Sequence, residues 1–145
     1  MRNYEDVKTL LNLDGQKFWP MKTKNVKIGI MSYEKYKKYT MAIAKGKYAP
    51  KRNEPKIWFN SIETMSQVLS TRNVELLKLI EREKPQSISE LAEKSGRKQG
   101  NLSRTLKQFR KYGIVDIKKE KRNKVPIVLA STFDIEYGKD YPAFS

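Results

Sequence analysis

Between residues 85 and 112, the sequence PQSISELAEKSGRKQGNLSRTLKQFRKY carries two short apolar patterns separated by a glycine. In the first, Leu91 and Ala92 face inward, Ser89 is the expected N-cap, Glu90 lies in the first turn, and Gly96 supplies a left-handed stop. In the second, from about Lys98, Leu102, Leu106 and Phe109 follow at spacings of four and three, which puts them on one face of a helix. Gly113 closes that helix in the same left-handed way. Two short helices meeting at a tight glycine turn outline a helix-turn-helix.

The flanking patterns complete a fold around this pair. Val26, Ile28 and Ile30 alternate with Lys27 and Gly29 in NVKIGIM, predicting a strand buried on one face. Ser32 caps a helix that carries Tyr36, Tyr39, Met41 and Ile43 and ends at Gly46. YAPKRNEPK, with two prolines, reads as an extended linker with a boundary near Pro55. IWFN then forms a brief strand whose Trp58 and Phe59 either enter the core or offer a stacking platform to single-stranded nucleic acid. Ser61 caps a helix with the stripe Ile62, Met65, Val68 and Leu69, and Ser70 or Thr71 caps another with Val74, Leu77, Leu79 and Ile80, stopped by Pro85.

After Gly113 the period falls to two. Ile114, Val115 and Ile117 open a strand, KKEKRNK makes a polar turn, and Val125, Ile127, Val128 and Leu129 return, giving a β-hairpin or "wing". Phe133, Ile135 and Tyr137 suggest one more strand, and Val7, Leu10 and Leu11 a short amphipathic helix near the start. The expected class is α+β, mainly α: a winged helix-turn-helix with an N-terminal strand-helix extension. The expected organisation is an extension over 1–20, a strand-helix arm and linker over 21–56, the winged domain over 57–137, and a tail over 138–145.

Charge sharpens this picture. The 145 residues carry a formal charge of +15, which draws polyanions. Residues 84–124 hold 13 cations against 4 carboxylates, and residues 1–56 hold 14 against 5, whereas residues 57–83 are nearly neutral. With no cysteine and no histidine, disulfides, thiol catalysis, zinc sites built on those residues and imidazole acid–base chemistry are excluded. No apolar run approaches the roughly 18 residues of a membrane span, and no signal-peptide core is evident, so a cytoplasmic protein is expected.

The second helix is where chemistry concentrates, because a helix entering the major groove needs an apolar inner face and a basic or amide-bearing outer face near its N-terminus. Arg97, Lys98, Gln99, Asn101 and Arg104 lie in its first turns, where Gln and Asn suit adenine and Arg suits guanine. Gly100 permits close approach, and Ser103, Lys107 and Lys111 suit phosphates. On the wing, Lys118, Lys119, Lys121, Arg122 and Lys124 add a basic tip. For both groups the competing reading is an ordinary solvated face. The same holds for Lys35, Lys37, Lys38 and Lys45 on the N-terminal helix. Catalysis is not expected: Asp116, Glu120, Asp134, Glu136 and Asp140 are scattered, with no histidine base, and neither cofactor nor metal is called for.

The stretch SISELAEKSGRKQGNLSRTLKQFRKYGIVDIKK resembles the MarR-like winged helix-turn-helix regulators of bacteria and archaea in its LA, SG and LSRTLK elements and the Gly-Ile-Val leading into the wing. Residues from about 21 to 137 look like a subgroup of small regulators that serve as antitoxins of TumE-type toxins. The resemblance implies a sequence-specific, dimeric DNA-binding repressor with a cognate toxin as a further partner. The alternative is an RNA-binding or architectural nucleic-acid-binding protein.

Overall fold

Alternation along residues 25–31 does produce a strand, β1 (Asn25–Ile30), but one covered on both faces. In the computed structural model, which describes residues 25–139, β1 pairs in parallel with β2 (Ile57–Phe59) on one side and with β5 (Thr132–Glu136) on the other. A central strand has no solvent edge, and each face here meets its own apolar layer. Val26, Ile28, Ile57 and Phe59 point into the main core. Trp58, on the opposite face, joins Met31 and the Tyr36, Tyr39 and Ile43 side chains of α1 (Tyr33–Ala44). Both aromatics of IWFN are thus core residues, Trp58 at 4% and Phe59 at 0% exposure. The Phe59 ring lies 4.3 Å from that of Tyr112.

Register sets Gly29 opposite Trp58. A Cβ on Gly29 would come within 2.3 Å of the indole Cζ3 and 2.8 Å of Pro55 Cγ, so only the absence of a side chain lets Trp58 lie across the strand. The expected linker after α1 is anchored as well. Lys27 donates its ammonium to the Asn53 carbonyl at 2.7 Å, and the Tyr39 hydroxyl donates to the buried Glu54 carboxylate at 3.4 Å. Burial pushes the Glu54 carboxyl above its usual range and the Lys56 ammonium below its own.

On the main-core side stand α2 (Ile62–Val68), α3 (Thr71–Glu83), α4 (Ile88–Ser95) and α5 (Gln99–Lys111), followed by the antiparallel hairpin of β3 (Val115–Glu120) and β4 (Asn123–Val128). Ser32, Ser61 and Ser70 cap α1, α2 and α3 with their side-chain oxygens. The α4 cap is Ser87, not Ser89. Ser87 Oγ accepts the Glu90 N–H at 3.0 Å, while the Glu90 carboxylate reaches back to the Gln86 N–H at 2.9 Å. The serine half is that of a capping box, whereas the glutamate bonds the N–H of the residue before the cap rather than that of the cap itself.

The buried face of α3 is Leu76, Leu77 and Ile80, whereas Val74 and Leu79 are half-buried, and Met41 of α1 is exposed. At the end of α5 the Gly113 N–H bonds Arg110 O and the Ile114 N–H bonds Phe109 O, with Gly113 at φ 78. That double closure is a Schellman motif, and its apolar contact pairs Phe109 with Ile114, both fully buried. The fold is α+β, with five helices among the described residues. None of them is long and apolar enough to cross a membrane. The expectations for residues 1–20, including a helix at Val7, Leu10 and Leu11, lie outside the described residues, as do residues 140–145 of the tail.

Candidate nucleic-acid interface

The α5 helix is seated by Leu102, Leu106 and Phe109, which are 0%, 2% and 0% exposed. With that stripe fixed, helical geometry turns Gly100, Arg104, Lys107 and Lys111 to the middle of the outer side, and all four are exposed. Lys98, Gln99, Asn101, Ser103 and Gln108 are exposed around them. From Gln99 to Lys111 no residue is acidic. Lys98 occupies the N-cap without a side-chain capping bond, so no side chain offsets the positive end of the helix dipole there. Gly100 stands in open space, where a Cβ would meet nothing within 4 Å, so internal packing does not require glycine at that position.

Two predicted residues are partly occupied. Gln99 donates its amide to Ser89 Oγ at 3.2 Å. Arg97 turns inward and is half-buried: its guanidinium donates to Asn73 Oδ1 at 3.1 Å and to the Arg72 carbonyl at 2.9 Å. Desolvation, and secondarily the neighbouring Arg72 charge, lower its pKa. Arg97 therefore braces the turn between α4 and α5 against the start of α3. Asn73, its acceptor, carried no sequence signal, because the two residues are 24 positions apart.

The hairpin leaves α5 through the Gly113 closure. Lys118, Lys119, Lys121, Arg122 and Lys124 are all exposed at its tip, and Lys121 takes the left-handed conformation at φ 56. In register, Lys119 stands directly opposite Lys124, a like-charge cross-strand pair that disfavours the hairpin by itself. Asp116 and Glu120 are the acidic residues of β3, and each has a cation beside it: Arg110 at 3.7 Å from Asp116 and Lys118 at 3.1 Å from Glu120. Among the described residues, Lys98, Arg104, Lys107, Lys119, Lys121, Arg122 and Lys124 form no ion pair. Lys111 places its ammonium 5.7 Å from the centre of the Tyr112 ring.

The HVO_A0114 family is matched over residues 68–135, just under half of the chain, from the end of α2 through β5. No curated protein and no solved structure matches.

Proposed function

We propose that this chain is a sequence-reading DNA-binding regulator of the winged helix-turn-helix kind, with α4 and α5 as the helix pair, α5 as the reading helix and β3–β4 as the wing. The observation that carries this reading is the outer face of α5: Gly100, Arg104, Lys107 and Lys111 in one exposed line, with no carboxylate in the helix. The uncapped start of α5 suits a phosphate oxygen, and the unneeded glycine at position 100 suits a close approach of the duplex backbone. The Lys119–Lys124 pair adds a positive strip whose repulsion an anionic groove edge would relieve. In this scheme Arg104, Asn101 and Lys98 meet base edges and Lys107, Lys111 and the wing lysines meet phosphates. Arg97 acts by holding α5 in place. Two copies would read paired half-sites.

Substitution separates the two roles. Arg104→Ala is expected to cost about 1–3 kcal/mol at the preferred site and to relax base preference at one position. Lys121→Ala is expected to weaken binding to every sequence alike and to flatten the salt dependence by about one unit of slope. Fluorescence anisotropy across a salt series measures both. Equal losses for the two variants on preferred and random duplexes would defeat the assignment of α5 as the reading helix.

A further inference from the structure

Of the two outer edges of the three-stranded sheet, one is blunted and one is open. The β2 edge spans three residues, Ile57–Phe59, all buried, and follows Pro55, so little of it can pair with another strand. β5 is different. β1 covers one side of Thr132–Glu136, and among the described residues no strand covers the other. Nothing in the run from Thr132 to Tyr137 blocks addition of a strand, since it holds no proline, no lysine and no glycine.

The two faces of this edge differ in chemistry. The register places Phe133 beside Val26 and Ile135 beside Ile28, so the apolar alternation of β5 lies on the main-core face. Phe133 packs against that core, but Ile135 is 53% exposed, and Tyr137, next in the alternation, is 67% exposed. An apolar row that starts in the core thus runs out into solvent. On the opposite face, Glu136 is flanked by two lysines, Lys27 at 3.3 Å and Lys139 at 3.4 Å. Asp134 forms no ion pair among the described residues and accepts the Asn25 amide at 3.2 Å.

We propose that the open edge of β5 pairs antiparallel with β5 of a second copy, about a two-fold axis at Ile135, joining two three-stranded sheets into one. That axis sets Ile135 opposite Ile135 and Phe133 opposite Tyr137, so the apolar rows of both copies meet on one face. On the other face it sets Asp134 opposite Glu136 of the second copy, whose Lys27 and Lys139 supply the cations that Asp134 lacks in its own chain. An axis one residue earlier, at Asp134, would instead oppose two aspartates and leave Tyr137 facing Ser131. The charge pattern therefore favours a second copy in this register over an unrelated strand. With both apolar rows on one face, both main cores, and so both α5 helices, lie on the same side of the joined sheet. An edge of this length is small against the roughly 1,200 Å² of a stable interface, so the association is weak and reversible. Only the use of the paired α5 helices rests on the DNA-binding reading above; the pairing does not.

The chain has no cysteine, so a single introduced thiol reports the pairing without DNA. Under mild oxidation, Ile135→Cys is expected to give a disulfide-linked dimer, because residues opposite each other in an antiparallel pair lie about 4.5–5.5 Å apart, within disulfide reach. Asp134→Cys, whose two copies sit diagonally, and Tyr33→Cys, exposed at the start of α1, should cross-link about tenfold more slowly or less. Sedimentation velocity of the wild-type chain should show a dimer that grows with concentration. Ile135→Lys, which opposes two ammonium groups at the axis, should weaken that dimer about tenfold or more. Circular dichroism confirms that each variant is folded. A wild-type chain that stays monomeric, leaving the edge to a strand of another protein, would overturn the proposal. So would a dimer indifferent to Ile135→Lys, or cross-linking faster at Asp134→Cys than at Ile135→Cys. Duplex binding measured separately on Ile135→Lys shows whether the DNA-binding reading stands, whatever the edge does.

Discussion

At the scale of single residues, two buried positions next to the sheet set measurable limits. Gly29→Ala is expected to destabilise the fold by about 2 kcal/mol or more, because the new methyl overpacks against Trp58. Chemical denaturation checks this, and the loss should shrink in a Trp58→Leu background, where the obstructing ring is gone. Glu54 gives a pH-dependent counterpart. Burial raises its folded-state pKa above the ordinary 4.5, so the folded protein holds the proton more tightly than the unfolded chain. That contribution is fully present below the ordinary value and is lost as pH rises through the folded value. Glu54→Gln has no such term. Relative to the wild type, its melting temperature should climb as pH rises above the ordinary 4.5; a constant difference across that range would contradict the assignment.

The residue scale also shows what could be read from the chain. The Leu102, Leu106 and Phe109 stripe defines the outer face of α5 in the sequence itself, because helical period alone determines which side chains oppose a buried face. The inward turn of Arg97 was not legible. Its basic side chain next to a basic helix looks the same in sequence whether it faces solvent or braces against Asn73. Glu54 was hidden for a similar reason: a proline-bounded charged segment reads as exposed linker until Tyr39, 15 residues away, is found beside it.

Among elements, the start of α4 is the sharpest lesson. Two serines stand two residues apart, and local capping preference alone cannot separate them. Only Ser87 has a glutamate three residues on, and it is the cap. Ser87→Ala is therefore expected to cost about 1 kcal/mol, and Ser89→Ala clearly less, in thermal denaturation. The reverse order would contradict the capping geometry. The hairpin strands and β5 were visible in their alternation. Their partners were not. Nothing local announces that Val26 aligns with Phe133, since parallel pairing between strands more than a hundred residues apart leaves no turn signature.

For the whole molecule, that pairing changes how the arm is understood. The strand at residues 25–30 lies between β2 and β5, and Val26 and Ile28 share a core with Leu106 and Phe109. The segment before residue 57 is thus built into the hydrophobic core that seats α5, and removing it would strip that core rather than detach an accessory. The sheet divides the exposed cations into two populations. Those of α5 and the hairpin lie on the main-core side, and Lys35, Lys37, Lys38 and Lys45 of the α1 region lie beyond the opposite face. On the proposed reading, a duplex laid against α5 and the β3–β4 hairpin would draw on the first population, and the second would be left to raise long-range attraction for polyanions.

The most direct measurement is recovery of duplexes bound by the purified full chain from a random-sequence pool at about 150 mM salt, where purely electrostatic binding is much reduced. The account predicts enrichment of a defined motif, with Arg104→Ala losing selectivity at one position of it and Lys121→Ala keeping the motif at lower yield. Recovery without any motif, unchanged by Arg104→Ala, would contradict the claim that α5 reads DNA sequence.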